Sequence, residues 1–197
     1  DQLPDGQIPH IIPYFSSHDM MKPPGIDGVS AAGWSDASVI VPWRLYEAYG
    51  DSKILKENFS MMCKYMNSTE QRVSKLPADT ENMSPEQLER QKYLWNTDFQ
   101  FGDWLMPSVP AFEGTKLTGS QVATLMFVFT TNLMEKICDV LCEDKLKEHY
   151  RELNKKVKEA FGEKYADKSA DIKEVLYTMQ KKVVRNMLLK DKRRPDG

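Results

Sequence analysis

Histidine and cysteine are scarce, at 3 residues each among 197, and that scarcity removes several chemistries at the outset. His10, His18 and His149 lie far apart with no Cys-x-x-Cys beside them, so no metal site is expected. Cys138 and Cys142 share an i,i+4 spacing inside an apolar run, but this is half a ligand set at most. With Cys63 they make an odd number and no disulfide framework, so all three read as reduced structural residues. Charge of one sign is lacking too. The 27 basic and 29 acidic residues leave a net charge of −2, which argues against electrostatic capture of nucleic acid or acidic lipid. No apolar run approaches the roughly 20 residues of a membrane span. The first residues, DQLPDGQIPH, carry neither the basic start nor the apolar middle of a signal peptide, and read as if cut from a longer chain. No stretch alternates long enough to announce a strand.

Helical signals are present instead. Asp36 stands where it would N-cap a helix from about Ala37 to Tyr49, which Gly50 would close in a left-handed conformation. Asp51 would cap a second helix at once, with Leu55, Phe59, Met62 and Met66 along one face. Together they predict an αα-hairpin with almost no loop. A second hairpin is expected further on. Val122, Met126, Phe129, Leu133, Ile137 and Val140 line one long helix. After a turn near Glu143 and Asp144, Leu146, Tyr150, Leu153, Val157 and Ala160 line the next. A last helix is expected over about Ala170 to Lys190, with Ile172, Leu176, Met179, Val183 and Met187 on one face, before a charged, fraying tail.

Between the hairpins, Pro77 to Gly119 reads as irregular. Ser84-Pro85-Glu86-Gln87 has the form of a capping box with proline at the first helical position, so a short helix should start there. The segment YLWNTDFQFGDWLMP follows, with Tyr93, Trp95, Phe99, Phe101 and Trp104 set among Asn, Asp and Gly. Rings so spaced fit no helical stripe. They either cover the ends of the hairpins or line a binding surface. Two Trp-Asp units stand out, Gly33-Trp34-Ser35-Asp36 and Gly102-Asp103-Trp104. Sugars offer apolar C–H faces to indole rings and hydroxyls to carboxylates, so Trp and Asp on loops at one end of a helical scaffold suit a carbohydrate. The first unit also has a plainer explanation, Asp36 as a cap and Trp34 as a staple on the incoming chain.

The order PDGQIP, GWSDASVIVPWRLYEAYGD, Met62 to Met66, FGDWL and then an apolar helix resembles the catalytic domain of the α-L-rhamnosidases (glycoside hydrolase family 78). The resemblance runs from about Asp5 to Tyr165 and is strongest at Gly33–Asp51 and Gly102–Leu105. It implies an all-α fold of antiparallel hairpins, part of a six-hairpin α/α barrel, and an inverting release of terminal L-rhamnose. It also implies that Trp34 and Trp104 line the rhamnose pocket, with Asp36 near its rim and Asp103 beside Trp104. No cofactor is implied. The expected partner is an L-rhamnoside carbohydrate rather than nucleic acid or a membrane, and the expected setting is the bacterial periplasm or outside the cell.

The same resemblance implies that neither catalytic carboxylate is here. An inverting glycosidase needs one protonated carboxyl for the leaving group and a second carboxylate to activate water. In the family the acid is a Glu in an Arg-Asp-Glu-rich motif upstream, and the base is a Glu beside a Trp downstream. Twelve helices of about 10–14 residues with loops need roughly 250–350 residues, so this chain supplies about half a barrel as one partial domain. Uncovered helix faces would then favour self-association. Tyr177 to Gly197, YTMQKKVVRNMLLKDKRRPDG, is more basic than the family pattern, and no family residue is mapped beyond Tyr165. Two other readings fit the residues: a non-catalytic helical interaction module, though no fixed period recurs, and an α/α barrel acting on another sugar.

Overall fold

The computed structural model describes residues 1–13, 30–105 and 111–165. Within them the chain forms five helices and no strand: α1 (Ala37–Tyr49), α2 (Lys53–Val73), α3 (Pro85–Gln91), α4 (Ala111–Leu141) and α5 (Asp144–Tyr165). Asp1–Phe161 make one compact unit and Gly162–Gly197 a second, described only as far as Tyr165. The helix expected over Ala170–Lys190 lies outside the described residues, as does His18.

α1 and α2 form the first hairpin. Gly50 ends α1 at φ 70°, as the sequence predicts, its N–H donating to the Tyr46 carbonyl. The cap of α2 is Ser52 rather than Asp51, which stands one residue earlier and accepts from the Lys53 N–H at 2.8 Å. Pro42 lies inside α1 and is buried, so the Ser38 carbonyl has no donor four residues on. On α2, Leu55, Met62 and Met66 are buried as expected, but Tyr65 is fully buried beside them. The short helix α3 starts on the capping box that Ser84 and Gln87 predict: the Gln87 N–H donates to Ser84 Oγ and the Ser84 N–H donates to Gln87 Oε1.

α4 and α5 form the second hairpin, antiparallel, as three successive side-chain ties show. Lys147 Nζ meets Asp139, Arg151 Nε meets Glu135, and Asn154 Nδ2 donates to the Val128 carbonyl at 2.6 Å and to Thr131 Oγ1 at 2.8 Å. Of the expected face of α4, Leu133 and Ile137 are buried, whereas Val122, Met126 and Val140 are only half-buried. Ala123, Phe127 and Val128 are interior, whereas Phe129 is exposed. The cause is that α4 packs on α1 and α2 as well as on α5, so it buries more than one stripe. Thr130 and Thr131 can join that interior because their hydroxyls donate to the Met126 and Phe127 carbonyls one turn back.

α4 also begins earlier than its pattern predicts. The stretch Glu113–Gly119, expected to be irregular, is helical from Ala111. Gly114 and Gly119 lower its local helix propensity by about 1 kcal/mol each. Their value is tertiary: a Cβ on Gly119 would stand 2.8 Å from the Gln100 carbonyl oxygen, and one on Gly114 would stand 2.7 Å from that of Asp103. The aromatic loop lies directly on this bare helix surface.

The core joins both hairpins and the loop between them. Trp95, Leu94, Tyr65, Phe127, Met134, Ile137, Val157 and Phe161 are buried, at about 1.5–3 kcal/mol for each large apolar side chain. Arg72 pins the loop to the end of α2. Its Nε donates to Asp98 at 2.7 Å, its Nη2 donates to the Ser30 carbonyl at 3.0 Å, and its guanidinium lies over the Trp95 ring. Among the described residues, no helix is long and apolar enough to cross a membrane.

Candidate functional site

The residues before α1 fold into a tight turn whose N–H groups are taken by side chains. Ala31 N–H donates to Ser35 Oγ at 3.1 Å, Ala32 N–H to Gln100 Oε1 at 2.7 Å, and Gly33 N–H to Asp36 Oδ2 at 2.7 Å. Gly33 sits at φ 82°, a left-handed position that any side chain would strain. Ser30 and Ser35 hydroxyls both donate to the Ile8 carbonyl at 2.7 Å, which ties the N-terminal segment to the same turn. Trp34 is thrown outward and is 46% exposed.

Asp36 departs from both expectations placed on it. It makes no helix-capping hydrogen bond, because its own backbone is already helical at φ −59° and ψ −19° and its carboxylate points back to Gly33. Nor does it stand at a rim: it is 1% exposed, and its second oxygen accepts from the Tyr65 hydroxyl at 2.8 Å. Burial pushes the Asp36 carboxyl above the ordinary value of 3.8, while the hydrogen bonds from Gly33 and Tyr65 pull it back down. Burial, and then the neighbouring Asp36 charge, pushes the Tyr65 phenol up.

The second Trp-Asp unit arrives from the other side. Gly102 sits at φ 59°, and a Cβ there would meet Thr118 Oγ1 at 2.5 Å and the Gly119 N at 2.7 Å. Asp103 N–H donates to the same Thr118 hydroxyl at 2.7 Å, which in turn donates to the Gly114 carbonyl. So the loop is seated on α4 by close backbone approach, and its tip, Asp103-Trp104-Leu105, is left exposed.

The two units meet at Phe101. Its ring lies 5.6 Å from Trp34 and 6.5 Å from Trp104, with Phe99 at 5.1 Å and His10 at 5.4 Å completing the cluster. Trp104 is 38% exposed, so both indoles are partly accessible beside the shared Phe101 ring. The structure thus brings together Trp34, Asp103 and Trp104 on one accessible surface and sets Asp36 behind it. Trp95, from the same aromatic run, belongs to the core, where its ring packs on Phe127. The residues that sequence reasoning missed are Gln100 and Tyr65. A second helical stripe, Tyr65, Thr69 and Arg72 at i, i+4 and i+7 on α2, was the available signal.

No three His, Cys, Asp or Glu gather as a metal site would require among the described residues. Cys63, Cys138 and Cys142 are free thiols. The cluster can offer stacking surfaces and one exposed carboxylate, which is the chemistry of holding a sugar. It holds no pair of accessible carboxyl groups, since both Asp36 oxygens are engaged inside.

Comparison with known proteins adds a family. A model described as the bacterial alpha-L-rhamnosidase 6 hairpin glycosidase domain matches residues 1–191. The chain is 28% identical over 179 residues to an alpha-L-rhamnosidase of Formosa agariphila, covering 90% of this chain and 16% of that protein. Among solved structures it is similar to an alpha-L-rhamnosidase of Dictyoglumus thermophilum (TM-score 0.58, 23% identity, 84% of this chain and 16% of that one). It is also similar to a Streptomyces avermitilis alpha-L-rhamnosidase complexed with L-rhamnose (TM-score 0.57, 26% identity, 83% and 12%). The chain therefore spans about one sixth or less of the length of these relatives.

Proposed function

The chain belongs to the bacterial alpha-L-rhamnosidase six-hairpin glycosidase domain family, and on that premise we propose that it supplies one wall of a pocket for terminal α-L-rhamnose. Its helical hairpins are part of the family's α/α barrel, and the whole chain is read as one part of a single catalytic domain. The observation that carries the proposal is the Phe101 cluster, in which the partly exposed rings of Trp34 and Trp104 gather around one ring. L-rhamnose is a deoxy sugar whose methyl group and C–H faces suit stacking on indole. Asp103 is exposed and adjoins Trp104 in the chain, which supports a role in accepting hydroxyl hydrogen bonds. Asp36 serves from behind, through the turn that carries Trp34, rather than by touching the sugar.

The proposed reaction of the complete protein is the inverting hydrolysis of terminal α-L-rhamnosides, with general acid and base supplied by carboxyl groups outside this chain. Such assistance is typically worth about 10²–10⁴-fold. With that substrate goes a proposed setting in the bacterial periplasm or outside the cell, where rhamnose-bearing polymers are met. The test is turnover of an aryl α-L-rhamnoside. These 197 residues alone should leave it intact, and in the complete protein Trp34→Ala or Trp104→Ala should lower turnover without unfolding. Robust hydrolysis by the chain alone, abolished by Asp36→Asn or Asp103→Asn, would reassign the catalytic acids.

A further inference from the structure

The turn that carries Trp34 is unusual in how its backbone is satisfied. Three consecutive N–H groups, of Ala31, Ala32 and Gly33, point to side-chain oxygens rather than to backbone carbonyls. Successive N–H groups around a left-handed residue form a concavity that attracts an anionic group. Here the chain fills part of that concavity with its own Asp36 carboxylate. A carboxylate on a short side chain is free to swing unless its second oxygen is also held. Tyr65 holds it: the hydroxyl donates to Oδ1 at 2.8 Å while Oδ2 takes the Gly33 N–H at 2.7 Å. Both residues are 1% exposed or less, so no water competes for these bonds. The phenol comes from the middle of α2, 29 positions away in sequence, and joins a rigid helix to a loop-borne ring.

We propose that Tyr65 is a positioning residue for the sugar platform: its hydroxyl fixes the Asp36 carboxylate on the Gly33 N–H, and so sets how Trp34 stands beside Phe101. The sugar-binding consequence rests on the reading of Trp34 as a rhamnose contact; the positioning itself does not. Gln100 shares the task from the other side. Its Oε1 takes the Ala32 N–H while its own backbone leads directly into Phe101, so both platforms hang from one frame.

Tyr65→Phe removes the hydroxyl and keeps the ring that packs in the core. The chain would be labelled with 5-fluorotryptophan and its four resonances followed by fluorine NMR, with that of Trp34 assigned through Trp34→Phe. In the phenylalanine variant the Trp34 resonance should shift or broaden while the buried Trp43 and Trp95 resonances stay in place. L-rhamnose affinity should fall about fivefold, the equivalent of one typical hydrogen bond. Asp36→Ala should displace the Trp34 resonance at least as far, and it decides the question if Tyr65→Phe does not fold. An unmoved Trp34 resonance with lowered thermal stability would overturn the proposal and leave Tyr65 as a core residue. A displaced Trp34 resonance in a protein that binds no L-rhamnose would uphold the positioning and sink the rhamnose reading.

Discussion

At the scale of the residue, Asp36 behaves unlike an ordinary capping carboxylate. Its carboxyl is raised above 3.8 chiefly by burial, so its contribution to stability is fully present at pH below that value and is lost as pH rises through the raised value in the folded state. Asn at this position is neutral at every pH. Asp36→Asn should therefore show a flatter stability profile than wild type from about pH 4 upward, and urea melts across that window check it. Parallel profiles would mean that the hydrogen bonds from Gly33 and Tyr65 offset the burial. The three cysteines offer a second check. Burial pushes the Cys63 thiol to about 11 and the Cys138 thiol to about 12, whereas Cys142 is exposed at the end of α4. Since the thiolate is the reactive form, alkylation at pH 8 followed by mass spectrometry should modify Cys142 first, with the other two reacting only on unfolding. Rapid modification of Cys63 in the folded chain would contradict that order.

At the scale of the element, the seating of the aromatic loop on α4 makes the sharpest demand. Gly102→Ala would add left-handed strain of about 1–3 kcal/mol and also press a Cβ against Thr118 and Gly119. The loop should lift, lowering stability by at least that amount and loosening Trp104. Urea denaturation reads the first effect and indole fluorescence the second; a variant as stable as wild type would show that the loop is not held there. This seating also marks the limit of what the sequence shows. The hairpin α1–α2 was legible because Gly50, Asp51 and the 4,3,4 apolar spacing on α2 are local signals. The start of α4 was not, because Gly114 and Gly119 speak against a helix locally and are chosen for the backbone that lies across them. Phe129 misled in the same way: a helix packed on several sides buries more than one stripe, and a single periodic face cannot say which. In the site, Trp34 and Trp104 were legible as a pair of motifs, but their meeting at Phe101 depends on a loop path no periodicity encodes. Asp36 was found for the wrong reason, since the partner that explains it, Tyr65, is remote in sequence.

At the scale of the whole molecule, two surfaces compete for attention. On α1, Val41, Leu45 and Tyr49 recur at i, i+4 and i+8, and all three are exposed. An apolar stripe of this kind on an isolated helix face favours association. Light scattering of the chain should show oligomers at high concentration, and Leu45→Lys should reduce them. A clean monomer with little binding of a hydrophobic dye would count against this. The other surface is the aromatic cluster, and the central proposal concerns it, namely that Trp34 and Trp104 hold L-rhamnose. The most direct measurement is a saturation-transfer NMR titration of the folded chain with L-rhamnose, repeated for Trp34→Ala and Trp104→Ala. The account predicts weak, saturable binding to wild type, reduced about 5–10-fold or more in each variant, in keeping with the loss of a stacked ring, while thermal stability is maintained. Equal saturation curves for all three proteins, or loss of folding without loss of binding contacts, would contradict it.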